Sequence, residues 1–442
     1  MGHDRLKLDE AVSSSGRYAR SEAMLDRALR TIPLGAQTFS KSLTQYPRGV
    51  SPYFAARAKG ATLLDVDGNA YTDFISALCS VTLGYGDPDV DDAVRRQMDS
   101  GVIFSLSHGL EAEAAERIVR MVPCAEKVRF GKNGSDATAG AIRIARAATG
   151  GDHVLVCGYH GWQDWFIGST ARSLGVPEAT RGLTHAFPYD DLPALEAVLD
   201  RLKGQVAAVI LEPMNVKTPA PGYLDGVKRL AHAHGAVLIF DETITGFRYA
   251  KGGAQEFFGV TPDLCTLGKG LANGFPLSAV AGRADLMQLM EEVFFSFTMG
   301  GETLSLAAAC AVMDKLEREP VVETMAARGG EVLAGTQGLI DRHGLGGVLS
   351  VSGHPSWSFL AIADQPGATS FEIKTLFMQE VFARGVLAYG THNMSYAHGE
   401  AEVQALLAAY DEVFAVIGNA LAEGEVVKRL RCEPLKPLFK VR

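Results

Sequence analysis

The sequence predicts an α/β protein: a mostly parallel sheet in a large unit, followed by a smaller α/β unit at the C-terminal end. Three observations carry that prediction. Short apolar runs at 153–157, 206–211, 236–240, 264–267 and 278–281 show no polar alternation, so they read as strands buried on both faces. Helical stretches at 136–149, 192–202 and 226–234 fall between them, and strands alternating with helices make a parallel sheet covered on both sides. An amphipathic helix at 304–317 follows, and beyond it a strand-like run at 357–363 and a long helix near 402–421 mark a further unit.

In chain order, Met24, Leu25, Ala28 and Leu29 recur at helical spacing, and Pro33-Leu34-Gly35 stops that helix. Residues 61–71 read as a hairpin, because Asp67-Gly68-Asn69 supplies turn residues between two strand-like runs. The α/β alternation begins at Val128. The expected division is a leading segment at 1–75, a large unit at 76–320 and a small unit at 321–442, with no internal repeat.

Composition narrows the class. The 442 residues, 47% hydrophobic and 21% charged, suffice for a large core. Forty-two basic against fifty-one acidic side chains leave a net charge of −9, with no basic cluster, which argues against a nucleic-acid partner. No run of about 18 apolar residues suggests a membrane span, and the polar residues 1–15 lack the apolar core of a signal peptide. The six cysteines are scattered, without CxxC or metal-ligand spacing. That pattern predicts reduced thiols, no metal site and a cytoplasmic protein.

Four features bear on chemistry. Ile239-Phe240-Asp241-Glu242 is an apolar strand ending in two acids, and Leu267-Gly268-Lys269-Gly270 is another ending in a lysine between glycines. A lysine amine is a Schiff-base nucleophile once its charge is suppressed, and flanking glycines let the backbone crowd a ligand. Lys132-Asn133-Gly134-Ser135-Asp136-Ala137 opens a helix, where Ser135 and Asp136 can cap and free N–H groups can seat a phosphate. Tyr159-His160-Gly161-Trp162-Gln163-Asp164-Trp165 follows a strand and offers aromatic faces for stacking on a flat ring. Each feature alone also fits a bland role: a cap, a salt bridge, a surface turn, a lid on the core. Together they supply a phosphate seat, a ring platform, an acid and an amine, each at the end of a strand. A phosphorylated pyridine aldehyde requires those four parts.

These motifs, with Glu212-Pro213, Asp241-Glu242-Thr243-Ile244-Thr245-Gly246-Phe247-Arg248 and Gly268-Lys269, resemble the class III aminotransferases, and within them the branch around glutamate-1-semialdehyde aminomutase. The resemblance runs from about Pro33 to His398. It implies the type I fold of pyridoxal 5′-phosphate enzymes, a large domain binding that cofactor, and a homodimer with shared active sites to which residues 1–75 contribute. It further implies Lys269 as the Schiff-base lysine, Asp241 as partner of the pyridine nitrogen, Gly134 and Ser135 at the phosphate, and Tyr159 over the ring. Thr243 is implied beneath the ring, where the family commonly has Val. Thr298 matches the threonine that reaches the phosphate of the neighbouring subunit, and Glu212 lines the site.

Departures from the mutase pattern favour transamination. Lys41 stands where the mutases clamp a carboxylate with arginine, and lysine lacks that planar bidentate geometry. No glutamate lies near Gly390, and the segment between His160 and Pro177 is shorter than the mutase gating loop, with Trp162, Gln163 and Trp165 in it. The expected reaction moves an amino group from an amino-acid donor to a carbonyl acceptor, with a bulky polar ketone or keto-sugar as acceptor. Lys41, Trp162 and Glu212 are the candidate substrate contacts. Intramolecular amino transfer is the alternative, and a silent cofactor-binding relative is a third reading that the intact lysine–aspartate pair opposes.

Overall fold

The computed structural model describes residues 16–436; the polar stretch 1–15 and residues 437–442 lie outside the described residues. In chain order its strands are β1 (Ala55–Lys59), β2 (Thr62–Asp65), β3 (Ala70–Asp73), β4 (Lys127–Gly131), β5 (His153–Cys157), β6 (Thr184–Ala186), β7 (Val206–Leu211), β8 (Val237–Glu242), β9 (Leu264–Leu267), β10 (Ser278–Gly282), β11 (Leu349–His354), β12 (Trp357–Ile362), β13 (Val386–Leu387) and β14 (Thr391–Asn393).

The large sheet has the order β4-β10-β9-β8-β7-β5-β6. Its strands pair in parallel from β6 through β9, whereas β10 pairs antiparallel with both β9 and β4. The sheet is therefore mostly parallel, with the 278–281 run as its one reversed strand. Every residue of β7, β8 and β9 is buried. Their alternate side chains feed two cores. Val154, Val156, Ala208, Ile210 and Ile239 meet Ala137, Ala141 and Ile142 of the Gly134–Thr149 helix on one face. Leu155, Val209, Leu211, Leu238 and Phe240 meet Leu195, Leu199 and Val227 on the other.

Two smaller sheets complete the fold, β1-β2-β3-β13 and β11-β12-β14. The predicted hairpin is β2–β3, and β13 joins it in parallel through Val386 opposite Thr72, so segments far apart in the chain share a sheet. Several elements were not anticipated, among them the helices Pro88–Ser100, Gly109–Met121, Val321–Arg342 and Ser370–Ala383. The predicted last helix spans Glu400–Ala422 and is long and apolar enough to cross a membrane. Its residues Val403, Leu406, Tyr410, Val413, Phe414 and Ile417 are instead buried in the largest core cluster.

The segment after β3 has an uncommon backbone. Ser76, Ala77, Leu78 and Cys79 all lie in the left-handed region, at φ 47°, 48°, 61° and 69°. That conformation costs about 1–2 kcal/mol per non-glycine residue, so specific bonds must hold it. Asp73 Oδ1 accepts the Ile75 and Ser76 N–H groups at 2.7 and 3.1 Å. Ser76 Oγ donates to the Asn393 carbonyl at 2.7 Å, and Asn393 Nδ2 donates to the Ile75 carbonyl at 2.7 Å. The fully buried Arg248 donates through Nη2 to the Cys79 carbonyl at 3.2 Å and to Thr82 Oγ1 at 3.3 Å. Through Nη1 it donates to the Ser356 and Met394 carbonyls at 3.1 and 2.6 Å.

Arg248→Met would leave these buried acceptors without their donor, and we expect it to lower stability by about 3 kcal/mol or more. An unchanged denaturation midpoint would show that the turn is held without the guanidinium.

Three buried histidines make stability depend on pH. Burial pushes His354, His392 and His398 down to about 4. At His398, Nδ1 accepts the Ser395 N–H at 2.9 Å while Nε2 donates to the Asp73 carbonyl, so the ring is held neutral. The unfolded chain takes up these protons below about pH 6.5, whereas the folded chain waits until about 4. Stability is therefore whole above pH 6.5 and falls with pH through that window, by up to about 4 kcal/mol per unit for three such groups. Denaturant titrations at pH 7 and pH 5 test this, and equal midpoints would contradict it.

Candidate active site

A cavity of about 370 Å³ opens where β5, β7, β8 and β9 end, lined among others by Gly134, Ser135, Tyr159, Trp162, Glu212, Asp241, Thr243 and Lys269. The parallel strands explain the convergence, since each delivers its next residues to the same edge of the sheet.

β8 continues two residues past the predicted run and carries Asp241 directly opposite Thr266 of β9. The Asp241 carboxylate is buried. Oδ1 accepts Thr266 Oγ1 at 3.0 Å and the Thr243 N–H at 3.1 Å, and Oδ2 meets His160 Nδ1 at 2.8 Å. Desolvation pushes this carboxyl up, but the His160 and Thr243 contacts outweigh it and hold Asp241 below the ordinary carboxylate range. Its neighbour Glu242 does not face the cavity. Burial pushes that carboxyl up, and it binds the backbone N–H groups of Ala254 and Gln255 and the Thr245 hydroxyl.

Lys269 follows β9 in a 3₁₀ turn, half-buried, at φ 39°. The flanking glycines make room for protein groups. A Cβ on Gly270 would sit 2.2 Å from Thr82 Oγ1, and one on Gly268 would sit 3.2 Å from Thr243 Cγ2.

The Gly134–Thr149 helix is capped by Asn133, whose side chain accepts the Asp136 N–H while Asp136 accepts the Asn133 N–H. Asp136 thus belongs to the cap as expected, but Ser135 does not. Its Oγ accepts the Trp162 N–H at 3.2 Å. Gly134 and Ser135 begin the helix at the cavity wall, where N–H groups and the helix dipole favour an anion. Gly161 lets the aromatic loop come this close. Its φ is +105°, and a Cβ there would lie 2.3 Å from Ser135 Oγ.

Below that loop, Glu212 Oε2 accepts the Tyr159 N–H at 3.0 Å and Asn215 Nδ2 at 2.9 Å. Of the aromatic run, Tyr159 and Trp162 line the cavity, with Trp162 65% exposed at its mouth. Trp165 instead packs in the core beside His160 and Phe166. Two candidates lie elsewhere. Lys41 lines a separate cavity of about 380 Å³ with Arg57, Tyr46 and Tyr85. Thr298 lies in an exposed segment bordering one of about 430 Å³ with Phe104 and Leu106. Sequence reasoning assigned no role to His160 or Thr266. Strand register alone would have found Thr266, because it faces Asp241.

The chain matches the family model for aminotransferase class-III over residues 45–392. This protein belongs to the class III aminotransferases. It is 32% identical over 415 residues to a 3-aminobutyryl-CoA aminotransferase of Cloacimonas acidaminovorans (strain Evry), covering 92% of this chain and 99% of that protein. It is 41% identical over 330 residues to a glutamate-1-semialdehyde 2,1-aminomutase of Symbiobacterium thermophilum, covering 70% and 76%. Among solved structures it resembles the internal aldimine form of the FumI protein of Sphingopyxis sp. MTA144, with TM-score 0.85, 28% identity and coverage of 94% and 98%. An omega-transaminase from Sphaerobacter thermophilus gives TM-score 0.82 at 26% identity, with coverage of 91% and 100%. The fold is that of type I pyridoxal phosphate transaminases, and the protein is a pyridoxal 5′-phosphate-dependent transaminase.

The residues present fit that cofactor. A buried carboxylate held anionic, a lysine, a helix start and an aromatic side chain share one cavity, and Thr243 Oγ1 is buried there without a hydrogen-bond partner among the described residues. We expect Gly161→Ala to push Ser135 from the helix start and weaken cofactor retention about tenfold. Fluorescence titration of the cofactor-free protein measures this, and wild-type affinity would exclude the contact from the phosphate seat.

Proposed function

We propose that Lys269 holds the cofactor as a Schiff base and that Asp241 pairs with its ring nitrogen, in an enzyme that takes its amino group from an external amino-acid donor. Bound there, pyridoxal phosphate supplies an aldehyde that condenses with amines and a ring that accepts electrons from the substrate carbon. The observation that carries this reading is the pairing of β8 with β9, which brings Asp241 and Lys269 to one cavity from adjacent strand ends. The Asp241 carboxylate, held ionised by its donors, keeps a proton on the ring nitrogen. With the cofactor bound, the Lys269 amine would serve as the base that takes and returns the proton at the substrate carbon. Gly134 and Ser135 would hold the phosphate, and Tyr159 and Thr243 would contact the ring.

The acceptor in this reading is a bulky polar ketone, such as a keto-sugar or another biosynthetic ketone. Trp162 at the mouth and Glu212 in the wall form its contacts, whereas Lys41, which lines a separate cavity, is left out of this role. Similarity to an enzyme named for a coenzyme A thioester supports a bulky polar partner. The second reading, intramolecular amino transfer, draws on the 41% identity to an aminomutase.

The enzyme acts as a homodimer in which Thr298 reaches the phosphate of the neighbouring subunit. Support comes from the exposed apolar side chains Leu106, Phe294 and Met299 near that threonine. Residues 76–320 form the cofactor domain and 321–442 the small domain, which the leading segment joins through the β3–β13 pairing. The six cysteines, all free thiols, suit a cytoplasmic setting.

L-Glutamate alone, added to the holoenzyme, should bleach the visible cofactor band and release about one 2-oxoglutarate per subunit. An unchanged band with glutamate and with other amino-acid donors would favour the intramolecular reading. Lys269→Ala should abolish turnover and the band while leaving the fold intact; full activity in that variant would overturn the assignment.

A further inference from the structure

We propose that Lys132 and Glu302 are a positioning pair, whose ion pair anchors the start of the phosphate-seating helix on the start of the Thr303–Arg318 helix. This assignment rests on Gly134 and Ser135 being the seat of the cofactor's phosphate.

The two residues come from distant parts of the chain. Lys132 Nζ lies 2.9 Å from Glu302 Oε2 across 170 residues, with side chains 17% and 14% exposed. A pair so far withdrawn from water is screened less than a surface pair, and removing one member strands the other. Each member is also fixed at its own end. The Lys132 N–H donates to Asp136 Oδ2 at 2.9 Å, and the Asn133 N–H donates to the same oxygen at 3.1 Å. Lys132 therefore belongs to the cap of the Gly134–Thr149 helix. Glu302 caps the other helix: Oε1 accepts the Leu304 N–H at 2.7 Å, and Oε2 accepts Ser305 Oγ at 2.6 Å. That second helix is a firm support. Leu306, Ala308, Ala309, Val312, Met313 and Leu316 lie in the largest core cluster, and the Thr303 N–H donates to the Val102 carbonyl at 2.9 Å. The pair thus ties a loop with an exposed residue, Asn133, to a buried element.

The N–H groups at Gly134 and Ser135 serve a phosphate only while the helix start holds its place, and a seat left without support loses that geometry. Charge makes the role of the pair distinguishable from simple attraction. Burial pushes the Glu302 carboxyl up, but Ser305 and Lys132 outweigh it and hold it below the ordinary carboxylate range. Glu302 is therefore an anion, and Lys132, which lines the cavity, offsets it. Were Lys132 there to attract the phosphate, neutralising Glu302 would free the ammonium and tighten binding. With a positioning pair, neutralising either member loosens it.

The experiment titrates pyridoxal 5′-phosphate, and pyridoxal without the phosphate, into cofactor-free proteins. These are the wild type, Lys132→Met, Lys132→Arg, Glu302→Gln, the double variant Lys132→Met with Glu302→Gln, and Ser135→Ala. Methionine keeps an unbranched stem, and glutamine keeps an oxygen for the cap. The readout is the ratio of the two dissociation constants, with melting temperatures to verify the fold; a general structural fault would weaken both ligands alike. We expect Lys132→Met and Glu302→Gln each to bind pyridoxal phosphate about tenfold more weakly, with pyridoxal within about twofold of wild type. The double variant should be no weaker than either single one, because the pair is already broken, and Lys132→Arg should stay within about threefold of wild type. Tighter phosphate-dependent binding in Glu302→Gln overturns the proposal, as does an equal loss for both ligands or a wild-type ratio in Lys132→Met. If Glu302→Gln does not fold, the lysine variants decide: loss in Lys132→Met with recovery in Lys132→Arg supports the pair, and any other result removes it. Ser135→Ala separates the two levels. An unchanged ratio there sinks the reading of Ser135 as part of the seat. A changed ratio there, beside a wild-type ratio in Lys132→Met, removes only the role of the pair.

Discussion

A single buried guanidinium ties the parts of this molecule together. Arg248 follows β8 by six residues and is almost wholly withdrawn from water, yet its partners are carbonyls and a hydroxyl from three distant stretches of chain. A cation in such a place persists only with most of its donors engaged. Its fork therefore fixes where the loops at Cys79, Ser356 and Met394 must meet. The first of those loops borders the site: Ser80 lines the cavity, and Thr82 packs on Gly270 beside Lys269. The sheet delivers the chemistry, and Arg248 fixes the loop at Cys79 and Thr82 that borders it.

The central sheet was legible because its strands obey simple rules. β5, β7 and β9 occupy the predicted residues, since strands buried on both faces have little choice but continuous apolar side chains. The elements that escaped prediction depend on distant partners. The Val321–Arg342 helix carries Gly329, Gly330, Gly335 and Gly338, which lower helix propensity. Contact explains two of them: a Cβ on Gly329 would lie 1.8 Å from the Pro355 carbonyl oxygen, and one on Gly335 would meet Leu407 at 2.5 Å. β13 is two residues long and exists because β3 offers it an edge. A pattern read along the chain sees neither.

The site divides in the same way. Asp241, Lys269, Gly134, Ser135, Tyr159, Thr243, Glu212 and Trp162 share a cavity because each follows or closes a strand, a relation visible in sequence order. The contacts that tune them are across strands or across loops. Thr266 faces Asp241 only through register, and His160 reaches it through a fold in the loop after β5. The glycines around Lys269 suggested close approach of a ligand, and close approach is what they permit. The approaching groups, Thr82 and Thr243, come from the protein itself.

The left-handed turn at Ser76–Cys79 also depends on residues far along the chain. Its hydroxyl anchor on Asn393 spans 317 residues, and Arg248 and Met394 must arrive before the Cys79 carbonyl finds its place. A chain emerging from the ribosome holds these turn residues long before their supports exist, and contacts of such separation carry a large loop-closure cost. The wall beside Lys269 thus draws on residues from both halves of the chain, and a polypeptide ending before Asn393 lacks two of the anchors of this turn.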